Sequence, residues 1–479
     1  MMRRKMSTST STSTSASTTS ATRRTAAAPA AGLLPLVTLA IGFVMAILDV
    51  TVVNVALTDI AKQLAVPLAG LVWVVDGYTL TFAAMLLAGG GLADRYGAKT
   101  LYLSGLAVFV LASVLCGLAP SGTSLVAARF LQGLGAALFM PSSLSLLAHA
   151  YPDETVRQRM LGLWSAIVSV AAASGPLVGG ILIDRFGWRS IFLINVPLGL
   201  VGLILAGKVI TPMARHPKII NFLSHGCGMT ALGALSYLLI QGPVEGWLSA
   251  PILGAAALTV LAAGAFILHE RRSAEPLLPR ALFETPRFGA ANLLGFLINF
   301  GGFGQLFLLS LFLQQARHAT PLQAGIQLLP TIAVYTVGNL AVPNLVGRFG
   351  PRRTLLVSMI SSTVFAALTT LVLRPDTAYW IFALLLALAN LGMGVAVPVM
   401  TATVMQVAGR VHSNVAAASL NANRQIGVLV GVAFMGTILH GQSDWGVALP
   451  IAFGAITVVY LAGVGLVWRY LSPVTTTGH

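Results

Sequence analysis

Asp49, Asp76, Arg129 and Arg424 are ionisable side chains set inside long apolar runs of this sequence. A charge at the centre of a membrane helix costs about 2.5–3.5 kcal/mol on insertion scales, so each is expected to face a cavity or a partner. The carboxyls of Asp49 and Asp76 can exchange protons. The guanidinium groups stay charged, and act by holding an anion or by biasing a nearby carboxyl toward its ionised form. Arg129 and Gln132 are three positions apart, which puts a fixed cation and an amide on one helical stripe with Gly133 and Ala136. Asp49 lies deep in its run. Asp76 stands near the start of its own and is expected at the outer end, open to water. Arg424 shares a stripe with Asn421, Gly427 and Gly431, and three roles fit it: holding an anionic group of a substrate, balancing Asp49 across a cavity, or serving as a structural cation. Trp164, Asn299, Gln305, Gln327, Tyr335 and Asn339 are further polar or aromatic positions in the runs, and none stands out from ordinary interhelical hydrogen bonding.

The elements that must position these groups are membrane helices. Of the 479 residues 56% are hydrophobic and 9% charged, far less charge than a soluble chain of this length carries. Apolar stretches of about twenty residues recur along the whole length, about fourteen in all, each enough to cross a bilayer. The net charge of +15 would suggest a nucleic-acid partner in a soluble protein. Here the cations fall between apolar runs, where they read as topology signals and contacts to membrane lipid, not to nucleic acid. Alternate loops carry Arg95 and Lys99; Arg157 and Arg159; Lys208, Arg215 and Lys218; Arg271, Arg272, Arg280 and Arg287; and Arg348, Arg352 and Arg353. The loops between them are poorer in cations, so both termini are expected in the cytoplasm. Residues 1–32, rich in Ser and Thr, are expected to form a disordered cytoplasmic tail with no cleaved signal, and 471–479 a second tail.

The chain also repeats itself. Gly90–Lys99 has an echo lacking the acid at 345–353, and Gly175-Pro176-Leu177-Val178-Gly179 is echoed by Gly427-Val428-Leu429-Val430-Gly431. Gly133-Leu134-Gly135 with Pro141 is matched by Gly392-Met393-Gly394 with Pro398. Two related six-helix bundles follow, 33–209 and 287–470, joined by 210–286 with two inserted helices.

Four ordered motifs carry a resemblance. Gly90-Gly91-Leu92-Ala93-Asp94-Arg95-Tyr96-Gly97-Ala98-Lys99 resembles the G-x-L-x-D-R-x-G-x-K signature of the major facilitator superfamily, with Ala98 where a cation is usual. Leu48-Asp49-Val50-Thr51-Val52-Val53-Asn54-Val55-Ala56-Leu57 resembles the first-helix motif of its fourteen-helix drug:proton antiporter branch. Arg129-Phe130-Leu131-Gln132-Gly133-Leu134-Gly135-Ala136 is similar to R-x-x-Q-G-x-G-A. Gly175-Pro176-Leu177-Val178-Gly179-Gly180 is similar to the antiporter motif of the fifth helix, with Ala171 replacing its first glycine. Pro176 removes a helix hydrogen bond, and the glycines admit a neighbouring helix.

The resemblance implies an all-α major facilitator fold of two six-helix bundles plus two extra helices, in a bacterial inner membrane, working as a monomer. It implies proton-coupled export of a small organic compound, an antibiotic or other drug, by alternating access. Asp49, Asp76, Arg129, Gln132, Asn421 and Arg424 would then serve proton coupling or the substrate cavity. Gly90, Asp94, Arg95, Gly97 and Lys99 would form a cytoplasmic gate, and Gly175, Pro176, Gly179 and Gly180 a repacking surface. Uptake of a metabolite by symport or facilitated diffusion is the alternative. No phosphate-binding G-x-x-x-x-G-K-[ST] loop is present, which argues against an ATP-driven pump. The histidines show no metal spacing, and Cys116 and Cys227 read as packing thiols. Neither an enzyme nor a bound cofactor is expected; protons are the coupling ion.

Overall fold

The computed structural model describes residues 32–213, 221–273, 276–277, 279–284 and 286–471. The expected tails therefore lie outside the described residues but for Gly32 and Leu471, as do the linker cations Arg215 and Lys218. No strand occurs among the described residues, and fourteen helices are long and apolar enough to cross a membrane. The first half comprises α1 (Leu34–Leu64), α2 (Leu68–Tyr96), α3 (Ala98–Gly117), α4 (Gly122–Ala150), α5 (Glu154–Phe186) and α6 (Ser190–Val209). An inserted hairpin follows, α7 (Phe222–Glu245) and α8 (Ala250–Arg272). The second half is α9 (Pro286–Gln315), α10 (Pro321–Phe349), α11 (Pro351–Val372), α12 (Tyr379–Gly409), α13 (Val415–Gly441) and α14 (Trp445–Tyr470).

Short polar caps set the turns. Ser121 and Ser124 cap the start of α4 reciprocally, as Thr320 and Gln323 cap α10, and Asp153 accepts from Val156 N at 2.9 Å to start α5. Gly97 (φ 96°) and Gly350 (φ 77°) end α2 and α10 at matching places in the two halves, in a conformation that side chains avoid. A kink at Gly409 (φ 66°), where the backbone leaves the helical conformation, separates α12 from the helix that follows. Ile194 keeps helical dihedrals (φ −62°, ψ −26°) in the sixth span, and Asn195 beside it is buried in the bundle.

The repeats pack alike. Gly175 and Gly179 of α5 receive Thr51 and Val52 of α1, and Gly427 and Gly431 of α13 receive the backbone of Phe296 and Phe300 of α9. Gly133 of α4 lies on the backbone of Tyr78 in α2, and Gly394 of α12 on that of Tyr335 in α10. In each half the same two helix pairs thus approach closely over glycine, as interhelical packing without a hydrophobic drive favours.

The halves meet toward the end bearing the 65–67 and 187–189 turns. Ser310 Oγ of α9 donates to Asn54 O of α1 at 2.7 Å, and Gln314 Nε2 donates to Val55 O at 3.0 Å. Gly180 of α5 abuts Pro321 and Leu322, Gly325 of α10 abuts the Pro176 carbonyl, and Gly436 of α13 receives Val72 of α2. The inserted hairpin rests on this last contact: Ile240 and Pro243 face Leu68, Ala69 and Val72, and Thr437 Oγ1 donates to Leu239 O at 3.1 Å. At its other end Asn221 and His269 are hydrogen-bonded at 2.9 Å, which ties α7 to α8.

Candidate functional site

The charged stripe of α4 turns inward. Arg129 and Gln132, three residues apart and 1% and 0% exposed, both reach Asp49 of α1, which is 3% exposed. Arg129 Nη1 donates to Asp49 Oδ2 as an ion pair, and Gln132 Nε2 donates to Asp49 Oδ1 at 2.9 Å. Arg129 Nη1 also donates to Gln132 Oε1 at 2.6 Å, and Arg129 Nε to Val74 O of α2 at 2.9 Å. Its guanidinium lies 4.6 Å from the Tyr78 ring centroid and 5.7 Å from that of Phe192. Gln132 donates further to Ser113 Oγ of α3 at 3.0 Å, and Ser113 accepts from Asn195 Nδ2 of α6 at 3.4 Å. Cys116 Sγ stands 3.6 Å from Gln132 Oε1. Five helices therefore converge on one buried, charge-neutral network with both carboxylate oxygens engaged.

Such a pair is costly to break and not itself strongly stabilising. Removing one partner of a buried pair costs about 3–5 kcal/mol, whereas replacing both with uncharged groups is often neutral. Asp49 is the one carboxyl in the network, and a proton placed on it would cancel the counter-charge of Arg129 and leave that cation to Val74 O, Gln132 and the Tyr78 face.

Asp76 departs from expectation. It is fully buried, and neither carboxyl oxygen has a hydrogen-bond partner. It lies one turn from Val72, which packs on Gly436, so the α2 face expected to meet water is covered by α13, and the start of α2 by α7. Arg424 does not balance Asp49, whose partners all belong to the first half. Its Cγ lies beside Gly295 of α9. Asn421 is partly exposed on the same helix.

Gly90–Lys99 closes α2 and opens α3. Lys99 Nζ donates to Gly207 O at 2.8 Å, tying α3 to the end of α6 within the first half, while Arg95 is exposed over the Tyr96 ring. Asp94 is half-buried. In the fifth-helix motif Gly175 and Gly179 serve packing on α1, and Pro176 and Gly180 meet the other half. Sequence reading did not single out Ser113, Asn195, Ser310, Gln314 or Gly325. Single hydroxyls and amides in apolar runs carry no spacing signal, and Gly325 lies in no recognised motif. Among the described residues no group of His, Cys, Asp or Glu could hold a metal ion.

The profile of the Major Facilitator Superfamily matches residues 39–432 and 291–478. The chain belongs to this family. It is a multi-pass membrane transporter, not an enzyme. It is 50% identical over 441 residues to the methylenomycin A resistance protein of Bacillus subtilis (strain 168), covering 92% of this chain and 95% of that one. To the methylenomycin A resistance protein of Streptomyces coelicolor it is 47% identical over 434 residues, 91% of each chain. To the tetracenomycin C resistance and export protein of Streptomyces glaucescens it is 34% identical over 414 residues, 85% of this chain and 76% of the relative. In sequence, residues 73–78, 161–168 and 420–427 resemble methylenomycin A resistance proteins, and identity of 47–50% over about nine-tenths of the chain agrees with that likeness. Among solved structures, the nucleoside transporter NupG shares the fold, with a TM-score of 0.64 and 13% identity over 90% of this chain and 99% of that one.

Proposed function

We propose that this transporter exports a small organic compound, an antibiotic or other drug, in exchange for protons, by alternating access in a bacterial inner membrane with both termini cytoplasmic. The resistance and export proteins among its relatives support the direction and the substrate class. The cation-rich loops support the orientation. The observation that carries the proposal is the crowding of three functions onto one stretch of α1. Asp49 holds the network, Thr51 and Val52 bear the α5 glycines, and Asn54 and Val55 accept the bonds from α9. Residues 49–55 span about 9 Å along the helix. A proton arriving at Asp49 releases Arg129 from its counter-ion, and the same rigid segment passes the change to the seam between halves. Loss of the proton on the opposite side restores the pair and resets the seam.

The test is paired. Cells expressing the chain are screened for resistance, and each compound scored is offered to inside-out vesicles with an imposed pH gradient. Accumulation that collapses with an uncoupler supports the proposal. Accumulation without a pH gradient, or proton-driven uptake into intact cells in place of export, refutes it.

A further inference from the structure

Arg424 is a cation with no counter-charge among the described residues. Its Nε is buried and unpaired, and no hydrogen bond or ion pair ties its guanidinium to any described residue. Residues 286–479 contain two acids, Asp376 and Asp444, and both lie in turns between helices, leaving none within a span of the second half. In the first half Asp49 is committed to Arg129. Asp76 of α2 has neither oxygen paired and so makes no hydrogen bond to Arg424.

Arg424 stands on α13, one of the helices that face the other half. Its Cγ packs by Gly295 of α9. α9, α10 and α13 are the helices of the second half whose contacts with α1, α5 and α2 make the seam. The Arg424 stem packs against α9, and the residue remains partly exposed. Asn292 and Asn423, hydrogen-bonded at 2.5 Å, hold α9 and α13 together beside it. A guanidinium left unpaired within a membrane helix is a functional cation by default. Its planar fork suits a carboxylate, which it binds through two charge-assisted hydrogen bonds.

We infer that Arg424 is the anion-binding centre of the substrate cavity, and that the compounds carried bear an acidic group, a carboxylate being the best fit. The inference rests on the proposed export function and names its substrate class. Transport then moves the organic anion with its negative charge held against α13, while proton exchange stays at the separate Asp49 network in the first half.

The experiment uses the full chain in expressing cells, challenged with a panel of antibiotics, half of them carboxylic acids and half neutral or cationic. Each acid that is exported is compared with its methyl ester in inside-out vesicles, for wild type, Arg424→Lys and Arg424→Gln. Charge-assisted contacts of this kind predict that wild type prefers acid to ester by roughly 10- to 100-fold in apparent affinity. Arg424→Gln should lose that preference while its vesicle content and melting temperature stay near wild type, and Arg424→Lys should keep part of it. A merely structural cation would weaken acids and esters alike. Export confined to neutral or cationic compounds, or an undiminished acid preference in Arg424→Gln, overturns the inference and leaves the export function standing. Export of no compound overturns both.

Discussion

The Asp49–Arg129 pair can be taken apart in a double-mutant cycle. Both groups are almost wholly enclosed, so water cannot replace a lost partner. Arg129→Gln leaves a buried carboxylate held by Gln132 alone and should cost about 3–5 kcal/mol of unfolding free energy. Asp49→Asn should fall at the lower end, about 3 kcal/mol, because the new amide still offers an oxygen to Arg129 Nη1. Its nitrogen, however, faces the Gln132 Nε2 donor, and turning that amide over would deprive Arg129 and Cys116 of their shared acceptor. The double variant Asp49→Asn/Arg129→Gln carries no buried charge and should return to within about 1 kcal/mol of wild type, which with the single losses above is a coupling of about 5–7 kcal/mol. The assay is reversible unfolding in mixed micelles, read by tryptophan fluorescence and scored beside proton-driven flux. Stability should recover in the double variant while flux does not. Single variants as stable as wild type, or purely additive losses, would show that the ion pair is not formed in the membrane.

Two other outcomes follow from the packing. Gly180→Leu places a side chain against the Pro321 and Leu322 backbone, 2.8 Å from a Cβ at that position, where neither surface can yield as a side chain could. With Ser310→Ala/Gln314→Leu, which deletes both seam hydrogen bonds, it should raise thiol labelling of a cysteine at Val55 several-fold; Gly179→Leu, aimed at Val52 in its own half, should chiefly lower the melting temperature. Unchanged labelling in both seam variants would refute the assignment. Asp76→Leu removes an acid whose oxygens have no partner, so it should be neutral or stabilising by about 1–3 kcal/mol; a marked loss of stability in the same unfolding assay would mean that Asp76 is paired in the protein.

Much of this arrangement was legible along the chain because membrane helices announce themselves by length and composition, and because glycine spacing repeats in both halves. Arg129 and Gln132 share a stripe by arithmetic alone, and the structure turns that stripe to Asp49. What sequence does not carry is the rotation of one helix relative to another. That is why Arg424 and Arg129 were both open as counter-charges to Asp49, and why Gly179 and Gly180, adjacent in the chain, serve different halves. Asp76 was misplaced for a related reason: its distance from the start of α2 is short, but α7 and α13 cover that end. Ser310 and Gln314 left no trace at all, since their acceptors are backbone carbonyls that any residue supplies.

The central claim is that Asp49 carries the coupled proton. Substrate-induced proton release from purified protein in weakly buffered detergent, set beside pH-gradient-driven accumulation in inside-out vesicles, measures it directly for wild type, Asp49→Asn and Asp76→Asn. Asp49→Asn should release no proton and accumulate no substrate against the gradient, while still binding substrate and exchanging it across the membrane, because exchange moves no net proton. Retention of both activities in Asp49→Asn, together with their loss in Asp76→Asn, would contradict the account and assign the proton to the unpaired acid on α2.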